Sequence, residues 1–381
     1  MRTFNNKKIK NIAVVGIGYV GLPLSIELHK HFNVTSFDFS KKRIAQLNKR
    51  IDINNENNLK KINKKKIKFT SNKSDLKLNE VFIICVPTPI LKNTLPDLKL
   101  IKNASEVVGK YINKNTLVVY ESTVYPGLTE EICVPILEKK SNLKLNKDFL
   151  VGYSPERINP SDKKHTITNT IKVVSGSNTK ALNLVDLIYK KICKAGTYKT
   201  KTIKEAESSK IIENIQRDLN IALMNELSII FHKLNVDFNN VLKAASTKWN
   251  FINFQPGLVG GHCIGIDPYY LTYQSKKNNY SPQIILSGRK INDSMHKILF
   301  ERIKLHLSEK KINFKKLNVL ILGASFKANC SDYRNSRVIN FYNYIKKNFL
   351  SVNVYDPLIN SKDFYKDTKI KMINKITKKK I

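Results

Sequence analysis

The segment that decides the fold is NIAVVGIGYVG at residues 11–21. Its first half, Asn11–Val15, is apolar and β-branched and predicts a buried strand. Its second half places Gly16, Gly18 and Gly21 in the spacing GxGxxG, and a helical pattern follows. In such a unit the glycines allow a tight turn, close approach of a pyrophosphate and close packing of the helix on the strand, and the helix N-terminus attracts negative charge. The segment therefore predicts a dinucleotide-binding strand–turn–helix unit.

The end of the second predicted strand favours NAD over NADP. The strand Val34–Phe37 is followed by Asp38, about 20 residues beyond the first glycine, where an acid accepts the ribose hydroxyls and repels a 2′-phosphate. Arg43 could have indicated NADP. Because Asp38 is present, we interpret Arg43 as either an adenosine-side contact or a solvated helix residue.

Strands and helices continue to alternate, as a doubly wound parallel sheet requires. Three more apolar runs predict buried strands: Val81–Val86, Leu117–Tyr120 and Phe149–Tyr153. Loop residues that follow these strand ends are Pro87, Thr88, Thr123 and Glu156. Ligands bind at such ends, so a hydroxyl or carboxylate there can touch substrate, although each alone is more often a cap or turn residue.

From Ile203 to about Leu234 apolar residues recur in steps of three and four, with no glycine or proline, which predicts one long helix. We expect this helix to connect two domains and to pair across a homodimer. Lys210 and Asn214 are four residues apart and share one face. A solvated polar stripe is one interpretation, but Asn214 stands among apolar neighbours, where a polar group usually has a specific partner.

The segment GGHCIGID at residues 260–267 carries the candidate nucleophile, Cys263. The pair Gly260-Gly261 would let a ligand approach the thiol closely, and Asp267 can lie beside it. A lone cysteine in a glycine-rich turn is more often a small buried thiol. The dinucleotide fingerprint upstream favours the nucleophile.

A second strand–helix–strand unit is predicted near the C-terminus. It starts with the strand Asn318–Leu322, continues with a helix from about Ser336 and reaches the strand Val352–Tyr355. The glycine fingerprint is absent there. Lys327 and Arg334, near the first turn of this unit, suit a phosphate-bearing ligand better than a second dinucleotide.

Composition excludes several classes of protein. The 381 residues carry a formal net charge of +37, but the lysines are spread along the chain without interleaved aromatic residues, so we expect no nucleic-acid partner. Five cysteines without paired or metal-ligand spacing predict neither a disulfide framework nor a metal site, and they fit the cytoplasm. The glycines, Pro23 and Glu27 argue against an N-terminal export signal, and no membrane span is predicted.

Together these residues resemble the nucleotide-sugar 6-dehydrogenases, the UDP-glucose and GDP-mannose dehydrogenase family, across nearly the whole chain. The resemblance implies an α/β fold with an N-terminal Rossmann NAD domain (1–200), a central long-helix domain with the cysteine loop (201–305) and a C-terminal Rossmann-like nucleotide-sugar domain (306–381). Since the family continues through further strands after Val352–Tyr355, we expect this third domain to be truncated. The HCIGIDPYY form at 262–270 is similar to the branch acting on UDP-N-acetylhexosamines.

The resemblance also implies residue roles. The NAD site would contain Gly16, Gly18, Tyr19, Val20, Gly21, Asp38 and Arg43, with Pro87, Thr88 and Thr123 on the nicotinamide side. The catalytic residues would be Cys263, Lys210, Asn214, Asp267, Glu156 and Thr123. Lys210 and Asn214 would steady the reacting C6 oxygen, Asp267 would pair with the thiol, and Glu156 would serve thioester hydrolysis. Substrate contacts would come from Phe254, Gly260, Lys327 and Arg334.

The implied reaction oxidises the C6 alcohol of a UDP-N-acetylhexosamine to a carboxylate and consumes two NAD⁺, for a surface polysaccharide precursor. It would pass through a thiohemiacetal and a thioester on Cys263, with Lys210 favouring the thiolate. Two alternatives stay open. A hydroxyacid-type dehydrogenase transfers one hydride and needs no cysteine, and an inactive nucleotide-sugar-binding homologue would release no NADH.

Overall fold

The computed structural model describes residues 9–52, 59, 62–63, 65–91, 93–157, 164–261, 264–373 and 375–376. The chain divides into two compact units. The first contains Met1–Ile212 and Tyr269–Gln274, and the second contains Glu213–Pro268 and Ser275–Ile381.

The first unit is built on an eight-stranded sheet in the described part of the chain. Its strands are β1 (Asn11–Val15), β2 (Asn33–Phe37), β3 (Ile67–Thr70), β4 (Val81–Ile84), β5 (Leu117–Tyr120), β6 (Leu150–Tyr153), β7 (Lys172–Gly176) and β8 (Thr197–Lys199). The order is β3-β2-β1-β4-β5-β6-β7-β8, and all pairs are parallel except β6 with β7. The first six positions have the doubly wound order, which confirms the predicted fold class and puts a ligand crevice at the carboxyl ends of β1 and β4.

The helices of this sheet are α1 (Gly21–Leu28), α2 (Lys41–Asn48), α3 (Lys99–Gly109), α4 (Val134–Ser141) and α5 (Thr179–Lys190). All residues of β4 and β5 are buried, which explains why these strands are continuous apolar runs without alternation. Side chains of Ser40 and Asn178 cap the N-termini of α2 and α5. These caps fix where the helices begin after their strands.

The predicted long helix is confirmed as α6 (Ile203–Lys233), and the division between the two units falls within it. It is followed by α7 (Phe238–Ala245), α8 (Asp267–Lys277) and α9 (Gln283–Glu309). No helix of the described residues combines the length and the apolar character needed to cross a bilayer.

The second unit also contains the predicted C-terminal strand–helix–strand motif. Strands β9 (Asn318–Leu322) and β10 (Ser351–Tyr355) pair in parallel, with α10 (Arg337–Ile345) between them and α11 (Ser361–Thr368) after them. The described residues form no third strand in this sheet. One of its apolar clusters joins Phe300 of α9 to the side chains of α10, which anchors the motif to this long helix of the same unit.

Candidate functional site

The turn between β1 and α1 has the shape that its glycines permit. Gly16 has a φ of +94°, and a Cβ there would lie 3.0 Å from the backbone that follows β4. At Gly21 a Cβ would lie 1.9 Å from the carbonyl oxygen of Gly16, so only glycine lets α1 pack this closely. Gly18 is exposed and nothing lies within 4 Å of its Cβ position, while Tyr19 and Val20 are half-buried. The turn therefore leaves open backbone where a pyrophosphate can approach.

Asp38 and Arg43 both hold this turn. The Asp38 carboxylate accepts hydrogen bonds from the backbone N–H groups of Ile17 and Ser40, each at 2.8 Å. Arg43 is buried; its Nε donates to the Ile17 carbonyl oxygen at 3.0 Å, and its Nη2 pairs with Asp52 at 3.0 Å. The interpretation of Arg43 as a solvated residue is therefore wrong, because its guanidinium is buried and donates a hydrogen bond to the turn. An adenosine-side contact of Arg43 stays a prediction.

The loops after β4 and β5 are tied together at the carboxyl edge of the sheet. The Thr88 hydroxyl donates to the carbonyl oxygen of Thr123 at 2.6 Å. The hydroxyl of Tyr270, a residue of α8 that belongs to the same unit, lies 3.0 Å from the carbonyl oxygen of Thr88 and 3.2 Å from that of Pro89. Pro87 is exposed beside them. These contacts fix the two loops predicted to face the nicotinamide.

Glu156 lies in a buried ionic cluster that the sequence did not reveal. Lys172 places its Nζ 3.3 Å from Glu156 and 3.0 Å from Glu121. The hydroxyl of Tyr189 donates to the other oxygen of Glu121. Burial, together with the charge of Glu156, raises the pKa of Glu121 to about 7 against the opposing effect of Lys172. Burial lowers the pKa of Lys172, but its two carboxylate partners outweigh this effect and raise it overall.

Lys210 is buried, only 7% exposed, and makes no hydrogen bond or ion pair with another residue in the described ranges. A buried ammonium without a carboxylate partner is costly, so such a group is a candidate for ligand chemistry. The acid one turn earlier, Glu207, is engaged elsewhere, because it accepts the backbone N–H groups of Gly127 at 2.5 Å and Thr129 at 3.0 Å. Burial raises the pKa of Glu207 to about 7.

In the second unit, Asn214 and Asp267 form a buried pair. They are 7% and 2% exposed, and the Asn214 side-chain amide donates to the Asp267 carboxylate at 2.5 Å. Asn214 therefore has the specific partner that its apolar neighbours predicted, and the solvated-stripe interpretation is wrong for it. Asp267 is the first residue of α8, where the helix dipole also stabilises a carboxylate.

The glycine pair before the cysteine packs against protein. A Cβ on Gly260 would lie 2.8 Å from the carbonyl oxygen of Asn335, and one on Gly261 would lie 2.8 Å from the ring of Phe326. Arg337 adds a hydrogen bond of 3.1 Å from its Nε to the Val259 carbonyl oxygen. The pair thus permits close packing of two loops. The sequence had instead predicted that a ligand would use this space.

Cys263, the predicted nucleophile, lies outside the described residues, and so does its neighbour His262. Of the predicted substrate contacts, Phe254 and Lys327 are half-buried. Arg334 is exposed and forms a two-point ion pair with Asp332, at 2.9 and 2.7 Å, within its own loop.

Sequence reasoning missed Glu121, Lys172, Glu207 and Tyr270. Their partners are distant in sequence, so no local spacing relates them. One signal was present: Lys172 opens the buried strand β7, and a charge at the start of a buried strand indicates a buried partner.

The residues of the first unit fit a dinucleotide. The exposed Gly18 backbone can receive a pyrophosphate, and the Asp38 carboxylate, with two backbone bonds made, keeps further lone pairs for ribose hydroxyls. No group of three or more His, Cys, Asp or Glu side chains arranged for a metal ion occurs among the described residues.

Comparison with known families gives a consistent result. The NAD binding domain of the UDP-glucose/GDP-mannose dehydrogenase family matches residues 10–193, its central domain matches residues 204–294, and its UDP binding domain matches residues 320–380. These matches support NAD as the cofactor, as Asp38 predicted.

The similarity to individual relatives agrees with the match to this family. The chain is 50% identical over 353 residues to UDP-N-acetyl-D-glucosamine 6-dehydrogenase of Salmonella typhi, covering 92% of this chain and 83% of that one. It is 51% identical over 347 residues to Protein CapL of Staphylococcus aureus, covering 91% and 82%. The solved structure of UDP-D-ManNAc dehydrogenase from Pyrococcus horikoshii is 31% identical and superimposes with a TM-score of 0.86, covering 92% and 84%. The chain belongs to the UDP-glucose/GDP-mannose dehydrogenase family.

Proposed function

We propose that this protein is an NAD-dependent 6-dehydrogenase that converts UDP-N-acetyl-D-glucosamine to its uronic acid. Two relatives support this choice of sugar, because the one named for N-acetylglucosamine is 50% identical and the one named for N-acetylmannosamine is 31% identical. The relatives named as 6-dehydrogenases, at about 50% identity, favour neither the single-hydride hydroxyacid dehydrogenase nor the inactive homologue. We place the enzyme in the cytoplasm, where it supplies a surface polysaccharide precursor.

In the first oxidation, Lys210 and Asn214 stabilise the C6 oxygen as its proton passes to solvent water. The ammonium supplies positive charge to a developing oxyanion, and the amide is held in place by Asp267. NAD⁺, held by the turn at Gly16–Gly21 and by Asp38, would supply the hydride acceptor for both oxidations. The hydrogen bond between Thr88 and Thr123 limits the movement of the two loops on the nicotinamide side of the site.

In the second oxidation, Cys263 is the nucleophile. Its thiolate adds to the C6 aldehyde to give a thiohemiacetal, whose oxidation gives a thioester. A carboxylate is then needed to take a proton from the attacking water, and we assign this role to Glu156. Lys327 and Arg334 would bind the phosphate groups of the UDP moiety.

The observation that carries the proposal is Lys210, a buried lysine with no ionic partner in the described ranges, on the helix that also holds Asn214. The test is the rate of NADH formation with UDP-N-acetylglucosamine, UDP-N-acetylmannosamine, UDP-N-acetylgalactosamine and UDP-glucose. We expect kcat/KM to be highest for UDP-N-acetylglucosamine. A higher kcat/KM with UDP-glucose would contradict the proposed substrate.

We further propose that the protein forms a homodimer through α6 and retain the division into domains 1–200, 201–305 and 306–381. Exposed apolar side chains on α6, Leu223 at 49% and Ile230 at 44%, are two turns apart on one face of the helix and support the dimer, since an apolar patch on the surface marks an interaction site. Sedimentation of the unmodified protein and of Ile230→Glu tests this. We expect the substitution to weaken the dimer, and a monomeric unmodified protein would refute it.

A further inference from the structure

A buried cluster of three charged side chains links the ends of three strands in the first unit. Lys172 opens β7, Glu121 follows β5, and Glu156 lies three residues after β6. The Lys172 Nζ is 3.0 Å from an oxygen of Glu121 and 3.3 Å from an oxygen of Glu156. Their side chains are 4%, 0% and 9% exposed. One lysine therefore serves two carboxylates away from bulk water.

The two carboxylates are not equivalent. Glu121 has both oxygens engaged, one by Lys172 and one by the Tyr189 hydroxyl, and it has no exposed surface. Glu156 is closer to solvent, and its first oxygen accepts the backbone N–H of Arg157 at 2.6 Å. Glu121 is therefore fixed in the interior by its two partners, while Glu156 lies at the edge of the cluster.

Two thiols and one phenol beside the cluster are neutral near pH 7. The thiols of Cys85, just after β4, and Cys193, just after α5, interact with the cluster, and burial raises the pKa of both, to about 11 for Cys193. Tyr189 also has its pKa raised by burial. These three groups add no charge, whereas Lys172 is shared between Glu156 and Glu121, so the charge on Glu156 depends on this sharing. Two ionised carboxylates with one cation would leave a net negative charge in the interior, which is costly.

We infer that Lys172 is a positioning residue for Glu156. Glu121 competes with Glu156 for this lysine and so determines how strongly Lys172 stabilises the ionised form of Glu156. This inference rests on the proposed function. In thioester hydrolysis the water oxygen bonds to C6, the C–S bond breaks with its electron pair passing to the Cys263 sulfur, and the water proton passes to Glu156. A carboxylate held ionised and in a fixed direction is what this proton transfer requires.

Removal of Glu121 and removal of Lys172 should shift the pH midpoint of hydrolysis in opposite directions. Glu121→Gln keeps an acceptor for Tyr189 and leaves Lys172 to Glu156 alone, so hydrolysis should persist to lower pH. The double substitution Glu121→Gln with Lys172→Met removes one charge of each sign, so it adds no net charge to the interior. In this variant hydrolysis should be slowed about tenfold or more, since general-base catalysis contributes about 10²–10⁴-fold. Its pH midpoint should rise above that of Glu121→Gln.

The experiment is a rapid-mixing assay with UDP-N-acetylglucosamine and NAD⁺ across pH, which separates the NADH formed during the two oxidations from the later release of uronic acid. Lys190→Met, which removes an exposed lysine of α5, is the matched control and should leave the pH profile unchanged. In Glu121→Gln and in the double variant, the rates of the two oxidations should change little, whereas the rate of acid release and its pH midpoint should change.

Two results would overturn the inference. One is an unchanged pH midpoint for acid release in Glu121→Gln. The other is a double variant whose acid release matches Glu121→Gln in rate and midpoint. Failure of the proposed function itself gives a different result, because the unmodified protein would then form no NADH from UDP-N-acetylhexosamines.

Discussion

Replacing Asp38 should separate its structural role from its role in cofactor choice. Its carboxylate accepts two backbone hydrogen bonds of 2.8 Å, a partly buried one from Ile17 and an exposed one from Ser40. Hydrogen bonds to charged groups contribute about 1.5–3 kcal/mol, and the exposed one contributes least. Asp38→Ala should therefore lower the free energy of unfolding by about 2 kcal/mol.

The same substitution removes the predicted acceptor of the ribose hydroxyls. A loss of about 2 kcal/mol in binding corresponds to a Kd for NAD raised about 30-fold. NADP binding should suffer less, because a carboxylate that repels its 2′-phosphate has been removed. Asp38→Asn keeps one acceptor for the turn and should retain most of the stability while losing discrimination between the cofactors.

Calorimetric titration with NAD and NADP and chemical denaturation of each variant measure these effects. Glu106→Ala, which removes a half-exposed carboxylate elsewhere in the same unit, is the control and should bind NAD normally. The reasoning would be refuted by an unchanged Kd for NAD in Asp38→Ala. Equal affinity of the unmodified protein for NAD and NADP would refute it as well.

Three further predictions concern other residues. Cys263→Ser should abolish steady formation of the acid, because a hydroxyl is a far weaker nucleophile than a thiolate; undiminished turnover by this variant would exclude Cys263 as the nucleophile. Asn225, fully buried, donates to and accepts from the backbone of Gly257, at 3.0 and 2.8 Å, and so holds the loop between the predicted substrate contacts Phe254 and Gly260. Asn225→Ala should therefore lower the free energy of unfolding by about 2–4 kcal/mol, measured by denaturation, and raise KM for the UDP-sugar, measured by kinetics. The folded pKa of Glu207, about 7, lies above its ordinary value of 4.5, so its contribution to stability is complete below about pH 4.5 and is lost as pH rises through about 7. The unfolding free energy of the unmodified protein relative to Glu207→Gln should therefore fall by about 2–3 kcal/mol between about pH 5 and pH 8, and a constant difference would contradict the shift.

Local patterns in the sequence predicted much of the architecture, although not the strands β3, β7 and β8. The strand Asn11–Val15, the strand Asn318–Leu322 and the start of α6 at Ile203 lie where the apolar periodicity predicts them. The two strands are apolar runs, and α6 has apolar residues in steps of three and four. Their periodicity is a local property, so a single sequence displays it.

The same reasoning did not reveal how charged residues pair. Arg43 pairs with Asp52, and Lys172 pairs with Glu121, which is 51 positions away. Such pairs are made by the packing of separate elements, and no periodicity relates their positions. The glycine pair Gly260-Gly261 gave a related difficulty, because the sequence shows that a Cβ is excluded there without showing that Phe326 occupies the space.

The central claim is a two-step oxidation through a thioester on Cys263, and the most direct measurement is stoichiometric. A limiting, weighed amount of UDP-N-acetyl-D-glucosamine is converted to completion with excess NAD⁺, and the NADH and the uronic acid formed are both counted. We predict two NADH and one uronic acid for each sugar consumed. One NADH per sugar with an aldehyde or ketone as product, or no NADH at all, would contradict the account.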